Sequence, residues 1–235
     1  MLFLGLDLET TGLLAFEEHI TEIGWVLYDP LAKKPLSIRN ELVWDRSYPP
    51  LTDFITELTG ITNSDLEKYG VSPKEAMVTL LTDLRRCTHV VAHNAPFDKS
   101  FIEVEFDRQE LTLPNLKWID TSKDVPYPKS ITTRKLVHLA AEHGFVNPMA
   151  HRAVTDVLTM LKVLESYDPA TVVKWSESPT VKIKAMVTRD NKDLAKERGY
   201  RWDSQAVSWF KEIKEFQITD EINSSPFKIV VIENA

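Results

Sequence analysis

Apolar and polar positions change their period several times along the chain, and each change marks an element. Leu2 to Glu9 is apolar at most positions, as in a strand buried on both faces. His19–Tyr28 and Leu36–Trp44 predict two more strands, with a turn near Asp29-Pro30 between them. Ser72-Pro73 opens a helix that runs to about Arg85, with Ala76, Met77, Leu80, Leu81 and Leu84 on one stripe. His89–His93 reads as a short buried strand, Pro96 starts a helix toward Gln109, and Lys117–Asp120 reads as a fifth strand. Two further helices are expected over about Thr133–His143 and Ala153–Ser166. Three strands followed by strands alternating with helices predict an α/β fold, a mixed five-stranded sheet flanked by helices.

The pattern then restarts. Ser176-Glu177-Ser178-Pro179-Thr180 reads as a linker, which divides the chain into a domain over 1–176, a connection over 177–180 and a small α+β domain over 181–235. The small domain is expected to hold a strand Val181–Thr188, a helix Asn191–Arg198 stopped by Gly199, a hairpin of Tyr200–Asp203 with Val207–Ile213, and a last strand Phe227–Ile232. It is near charge balance, so the net charge of −7 belongs to the first domain.

Composition changes this picture little. The chain is long enough for one good-sized domain with an appendage. Cys87 is the single cysteine, which excludes an internal disulfide and reads as a small buried apolar residue. Met1-Leu2-Phe3-Leu4 lacks a basic flank and is soon interrupted by Asp7 and Glu9, so the expectation is a cytoplasmic protein with no membrane partner. The acidic balance argues against a protein that coats nucleic acid through a broad basic surface, but not against an enzyme that grips a strand end.

Chemistry concentrates in three fragments. Asp7-Leu8-Glu9-Thr10-Thr11-Gly12 closes the first strand, and residues two apart on a strand share a face, so Asp7 and Glu9 present two carboxylates together. Adjacent acids near a buried sheet repel unless a cation compensates them, and Mg²⁺ or Mn²⁺ prefers such oxygen ligands. His93-Asn94-Ala95-Pro96-Phe97-Asp98 places Asp98 in the first turn of a helix, where the helix dipole favours a carboxylate. His151-Arg152-Ala153-Val154-Thr155-Asp156 sets His151 on the approach to a helix and Asp156 within its first turn. Each fragment alone has an ordinary structural explanation; their order along the chain is the signal.

In that order the fragments resemble the DEDD exonuclease superfamily, RNase H-like in fold, and its His-containing DEDDh branch, which includes the proofreading subunit of the bacterial replicative polymerase. The resemblance spans roughly residues 2 to 167 and extends to Leu58-Thr59-Gly60-Ile61-Thr62. It implies two divalent cations, Mg²⁺ or Mn²⁺, held by Asp7, Glu9, Asp98 and Asp156, with Asp7 serving both. His151 would act as general base in 3′→5′ removal of nucleoside 5′-monophosphates, since an imidazole exchanges protons near neutral pH. It also places Thr10, Thr11 and Leu13 against the terminal nucleotide, with Asn94 and Phe97 as the neighbouring wall, although Phe97 reads equally well as core. DNA 3′ ends, single-stranded or duplex, are the expected substrate.

Three other readings share these residues. An RNA-trimming exoribonuclease would differ only in contacts to the 2′-OH, a non-catalytic RNase H-like scaffold would carry the acids as relics, and a proofreading subunit would need a polymerase-binding tail. In the small domain, Arg198–Asp203 and Trp209-Phe210-Lys211 mix aromatics with cations. They fit a nucleic-acid or protein contact, or, as the simpler expectation, two tryptophans filling the core of a very small domain.

Overall fold

A computed structural model describes residues 1–232, so the last three residues of the expected small domain lie outside the described residues. Three strands, β1 (Phe3–Thr10), β2 (Ile20–Asp29) and β3 (Lys34–Leu42), form an antiparallel meander. Two short helices follow, α1 (Asp53–Thr59) and α2 (Asn63–Tyr69), and then α3 (Pro73–Leu84). Next come β4 (His89–Ala92), α4 (Ala95–Arg108), β5 (Lys117–Asp120), α5 (Leu136–Glu142), α6 (Ala153–Leu164) and α7 (Pro169–Glu177). The sheet order is β3-β2-β1-β4-β5, with β4 parallel to β1 and β5 parallel to β4, so the expected mixed five-stranded sheet is present.

Alternation along β1 sorts the core. Leu4, Leu6 and Leu8 pack with Met77, Leu80 and Phe101 of α3 and α4. Phe3 packs on the opposite face with Val157 and Leu161 of α6. Gly5 and Gly24 let α6 approach that face closely. A Cβ on Gly5 would lie 2.8 Å from Val157 Cγ1, and one on Gly24 would collide with the Val154 backbone nitrogen. Asp7 pairs with Gly24 and Glu9 with Glu22 across β1 and β2, so the first acidic pair stands beside the start of α6.

The helices α1 and α2 were not expected, and they account for the Thr59-Gly60-Ile61-Thr62 segment. Thr59 ends α1 with its hydroxyl donating to the Ile55 carbonyl at 2.8 Å. Gly60 caps that helix at φ 72°, the left-handed region that glycine enters without a Cβ clash. Thr62 then caps α2 through a reciprocal box with Asp65.

The chain forms two compact units, one over Met1–Val173 and another that begins at Lys174. Helix α7 runs to Glu177 and the next strand starts at Thr180, so the expected connection is reduced to Ser178-Pro179. The second unit contains β6 (Thr180–Met186), α8 (Lys192–Glu197), β7 (Arg201–Asp203), β8 (Ser208–Lys214), α9 (Ile218–Ser224) and β9 (Lys228–Ile232). They form an antiparallel sheet of order β7-β8-β6-β9. Its buried core is Ile183, Ala185, Ala195, Tyr200 and Ile213. The expectation that both tryptophans fill this core is corrected: Trp209 packs at its margin, whereas Trp202 remains 50% exposed. In the same unit Glu221 accepts from Arg198 Nε at 3.1 Å and faces Lys211 Nζ at 3.3 Å.

Candidate active site

At the C-terminal ends of β1 and β4 the acids converge. Asp98 is 2% exposed on the first turn of α4, and its Oδ1 has no hydrogen-bond partner. Burial raises its pKa well above the ordinary carboxylate range, although the backbone N–H groups of Leu8 and of Asp98 itself favour the charged form. Asp7 is raised likewise, first by burial and then by the charges of Asp98, Asp156 and Glu9. Burial and the nearby Asp156 push Glu9 up to about 7, against a lowering pull from Arg152. Asp156 also lies above its ordinary value, burial outweighing its hydrogen bonds from His151 and Asn147. Four carboxylates that each resist ionisation lack positive charge, and an oxygen-liking cation is the chemistry that supplies it.

Glu9, His151 and Asp156 come together, one ligand atom from each lying within 4.8 Å of the other two. His151 is exposed and takes φ 63°, a conformation uncommon outside glycine. Its backbone N–H donates to Asp156 Oδ2 at 2.9 Å, which ties the loop to the first turn of α6.

Three partners of the site, Asn147, Glu22 and Arg152, were not among the residues expected to serve it. Asn147 Nδ2 donates to Asp156 Oδ1 at 2.6 Å, so both Asp156 oxygens are held. Glu22 is fully buried and accepts from Arg152 through Nε at 3.0 Å and through Nη2 at 2.6 Å. It also accepts from the Ala153 N–H at 2.9 Å, which anchors the start of α6 against β2. For Glu22 the available clue was an acid in the mostly apolar run Ile20–Tyr28, because a buried carboxylate needs a partner.

The residues expected around the terminal nucleotide differ in exposure and in their hydrogen bonds. Thr10 donates to the Gly12 carbonyl at 2.6 Å. Thr11 is engaged throughout: its N–H donates to His19 O at 2.9 Å, and its hydroxyl donates to Glu18 at 2.5 Å while accepting from the His19 N–H. Leu13 is 81% exposed, and its loop neighbours Leu14 and Phe16 are exposed too. Asn94 is exposed at φ 70°, with its N–H donating to Asp120 Oδ1 at 3.0 Å. Phe97 is half-buried against the α3–α4 core, its ring centroid 4.9 Å from that of Phe101. His93, left without a catalytic role by the sequence, pairs with the Thr121 hydroxyl at 2.8 Å.

A mixed five-stranded sheet with carboxylates and an imidazole gathered near one end is the setting of an exonuclease-family domain. Residues 4–164 match the RNase_T family model, described as Exonuclease, and the chain belongs to that family. The DNA polymerase III PolC-type of Streptococcus pyogenes is 32% identical over 115 residues, which is 49% of this chain but 7% of the polymerase. The zinc-bound complex of E. coli ExoI with single-stranded DNA is similar in fold, with a TM-score of 0.62 at 16% identity over 74% of this chain and 42% of that one. So is a 3′-exonuclease that recognises the histone mRNA stem-loop, with a TM-score of 0.60 at 17% identity over 70% and 80%. No helix among the described residues is long and apolar enough to cross a membrane.

Proposed function

We propose that the chain removes nucleoside 5′-monophosphates from DNA 3′ ends, with two divalent cations, Mg²⁺ or Mn²⁺, held by Asp7, Glu9, Asp98 and Asp156. The observation that carries this reading is the buried, unpartnered Asp98 Oδ1 within a group of carboxylates whose pKa values are all raised. Such a set is unfavourable alone and suits a cation. When bound, the cations supply a lowered pKa for water and stabilisation of charge on the phosphate and the leaving 3′ oxygen.

The remaining work falls to the chain. His151 takes the proton of the attacking water, and its held backbone keeps the imidazole beside Glu9 and Asp156. Asn147 fixes the rotamer of Asp156 from one side, and Glu22 with Arg152 fixes the helix that carries it. Leu13 is exposed and free to meet the last base, and Phe97 supports the wall as a partly buried aromatic. With its hydroxyl and N–H already occupied, Thr11 shapes the loop more than it contacts the strand.

The sequence identity to a DNA polymerase favours DNA. The fold likeness to an exonuclease named for an mRNA stem-loop favours RNA as the second reading. Digestion of 3′- and 5′-labelled DNA and RNA oligonucleotides with Mg²⁺, Mn²⁺ or EDTA, beside Asp7→Ala, tests both. Shortening from the 3′ end that needs metal, runs faster on DNA and is lost in the variant is expected. Faster RNA trimming would select the second reading, and no cleavage of either polymer would refute the function.

A further inference from the structure

The second unit carries a cleft that the catalytic chemistry leaves unused. It has a volume of about 840 Å³ and lies between the end of β6, the start of α8 and the β7–β8 hairpin. Its lining includes four basic side chains and no acidic one. Arg189 and Lys192 are exposed there and make no ion pair among the described residues. The Lys196 ammonium lies 5.9 Å from the centroid of the Trp209 ring and 3.3 Å from Asp193, a pair exposed on both sides and therefore readily exchanged. Trp202 stands opposite Trp209 across the hairpin, ring centroids 5.6 Å apart and planes inclined by 58°.

The unit closes its core without Trp202, so an indole is left half in water beside a row of cations. An acidic peptide would use the cations but not the indoles, and an apolar peptide the reverse. A single-stranded polynucleotide uses both: any base stacks on an aromatic face, and its phosphates meet Lys and Arg. A basic cleft on a chain of net charge −7 also concentrates attraction for a polyanion in one place.

We propose that this cleft binds single-stranded polynucleotide, with Trp202 as the stacking platform and Arg189, Lys192 and Lys196 as the phosphate contacts. The proposal rests on the nuclease reading for its purpose, but strand binding is measurable without catalysis. The test is fluorescence anisotropy of labelled dT15 and rU15 with the full chain in EDTA, at several salt concentrations. Trp202→Ala should weaken binding by about tenfold. The double variant Arg189→Glu with Lys192→Glu, at exposed positions, should weaken it further and make the log–log salt slope shallower by about 1.4. Similar affinity for the two oligonucleotides identifies the cleft as a reader of stacking and charge, whereas a preference above about tenfold shows a sugar contact and overturns that account. Should Trp202→Ala fail to fold, the double variant decides alone. Binding unchanged in the folded variants, or no binding by the unsubstituted chain, would refute the cleft while leaving 3′ digestion untouched. Loss of digestion with binding retained would refute the nuclease reading instead.

Discussion

His151 sits where two roles meet. Its ring lies close enough to Glu9 and Asp156 to share a cation with them, and it is exposed enough to take a proton from water. The two roles separate kinetically. As the base, His151→Ala should lower kcat by about 10²- to 10⁴-fold. The Mg²⁺ concentration for half-maximal activity should stay within about twofold of the original, because all four proposed carboxylate ligands remain. A metal ligand lost in the same substitution would raise that concentration sharply. Titration of activity against Mg²⁺ for the two proteins distinguishes them. Cys87 offers no competing nucleophile: burial pushes its thiol up to about 11, and it donates to the Leu84 carbonyl.

The start of α6 is the element on which the site depends, since it carries Asp156 and is fixed by Glu22, Arg152 and the absence of a side chain at Gly24. Gly24→Ala would put a methyl group against backbone that cannot rotate away, so the helix must shift. We expect a loss of about 2–3 kcal/mol of stability in urea unfolding, with activity falling more than the residual folded fraction explains. Activity that simply tracks the folded fraction would show that α6 can move without harm. Such dependence was only partly legible in the sequence. The period-2 rule placed Asp7 and Glu9 on one face, and the long stripes of α3 and α6 marked their helices. By contrast, α1 and α2 have seven residues each, too few turns for an apolar period to stand out, and their caps at Thr52 and Thr62 were the only local clues. Glu22 and Arg152 are separated by 130 positions, and Asn147 lies in a loop, so their pairing with the site follows from the fold and from no local pattern.

For the whole molecule, the acids that make the proposed site are a destabilising feature until a cation arrives. Asp7, Glu9, Asp98 and Asp156 all have folded-state pKa values above their ordinary ones, Glu9 reaching about 7. A carboxylate raised on folding binds its proton more tightly in the native state. Its favourable contribution is complete below the unfolded value of about 4 and is lost as pH rises through the folded value. The metal-free chain should therefore lose stability between about pH 4.5 and pH 8, on top of whatever its other groups do. Cations compete with those protons, so Mg²⁺ should restore little at about pH 5 and much at about pH 8. Thermal unfolding in EDTA and in excess Mg²⁺ at the two pH values measures the difference. Binding at about 100 times the dissociation constant adds about 2.7 kcal/mol, which corresponds to a rise of about 5–10 °C for a chain of this size. Asp7→Asn removes one charge from the cluster and should melt higher than the unsubstituted chain in EDTA at the higher pH, yet gain less from Mg²⁺. Equal Mg²⁺ shifts at the two pH values would mean that the carboxylates are not where the cation binds.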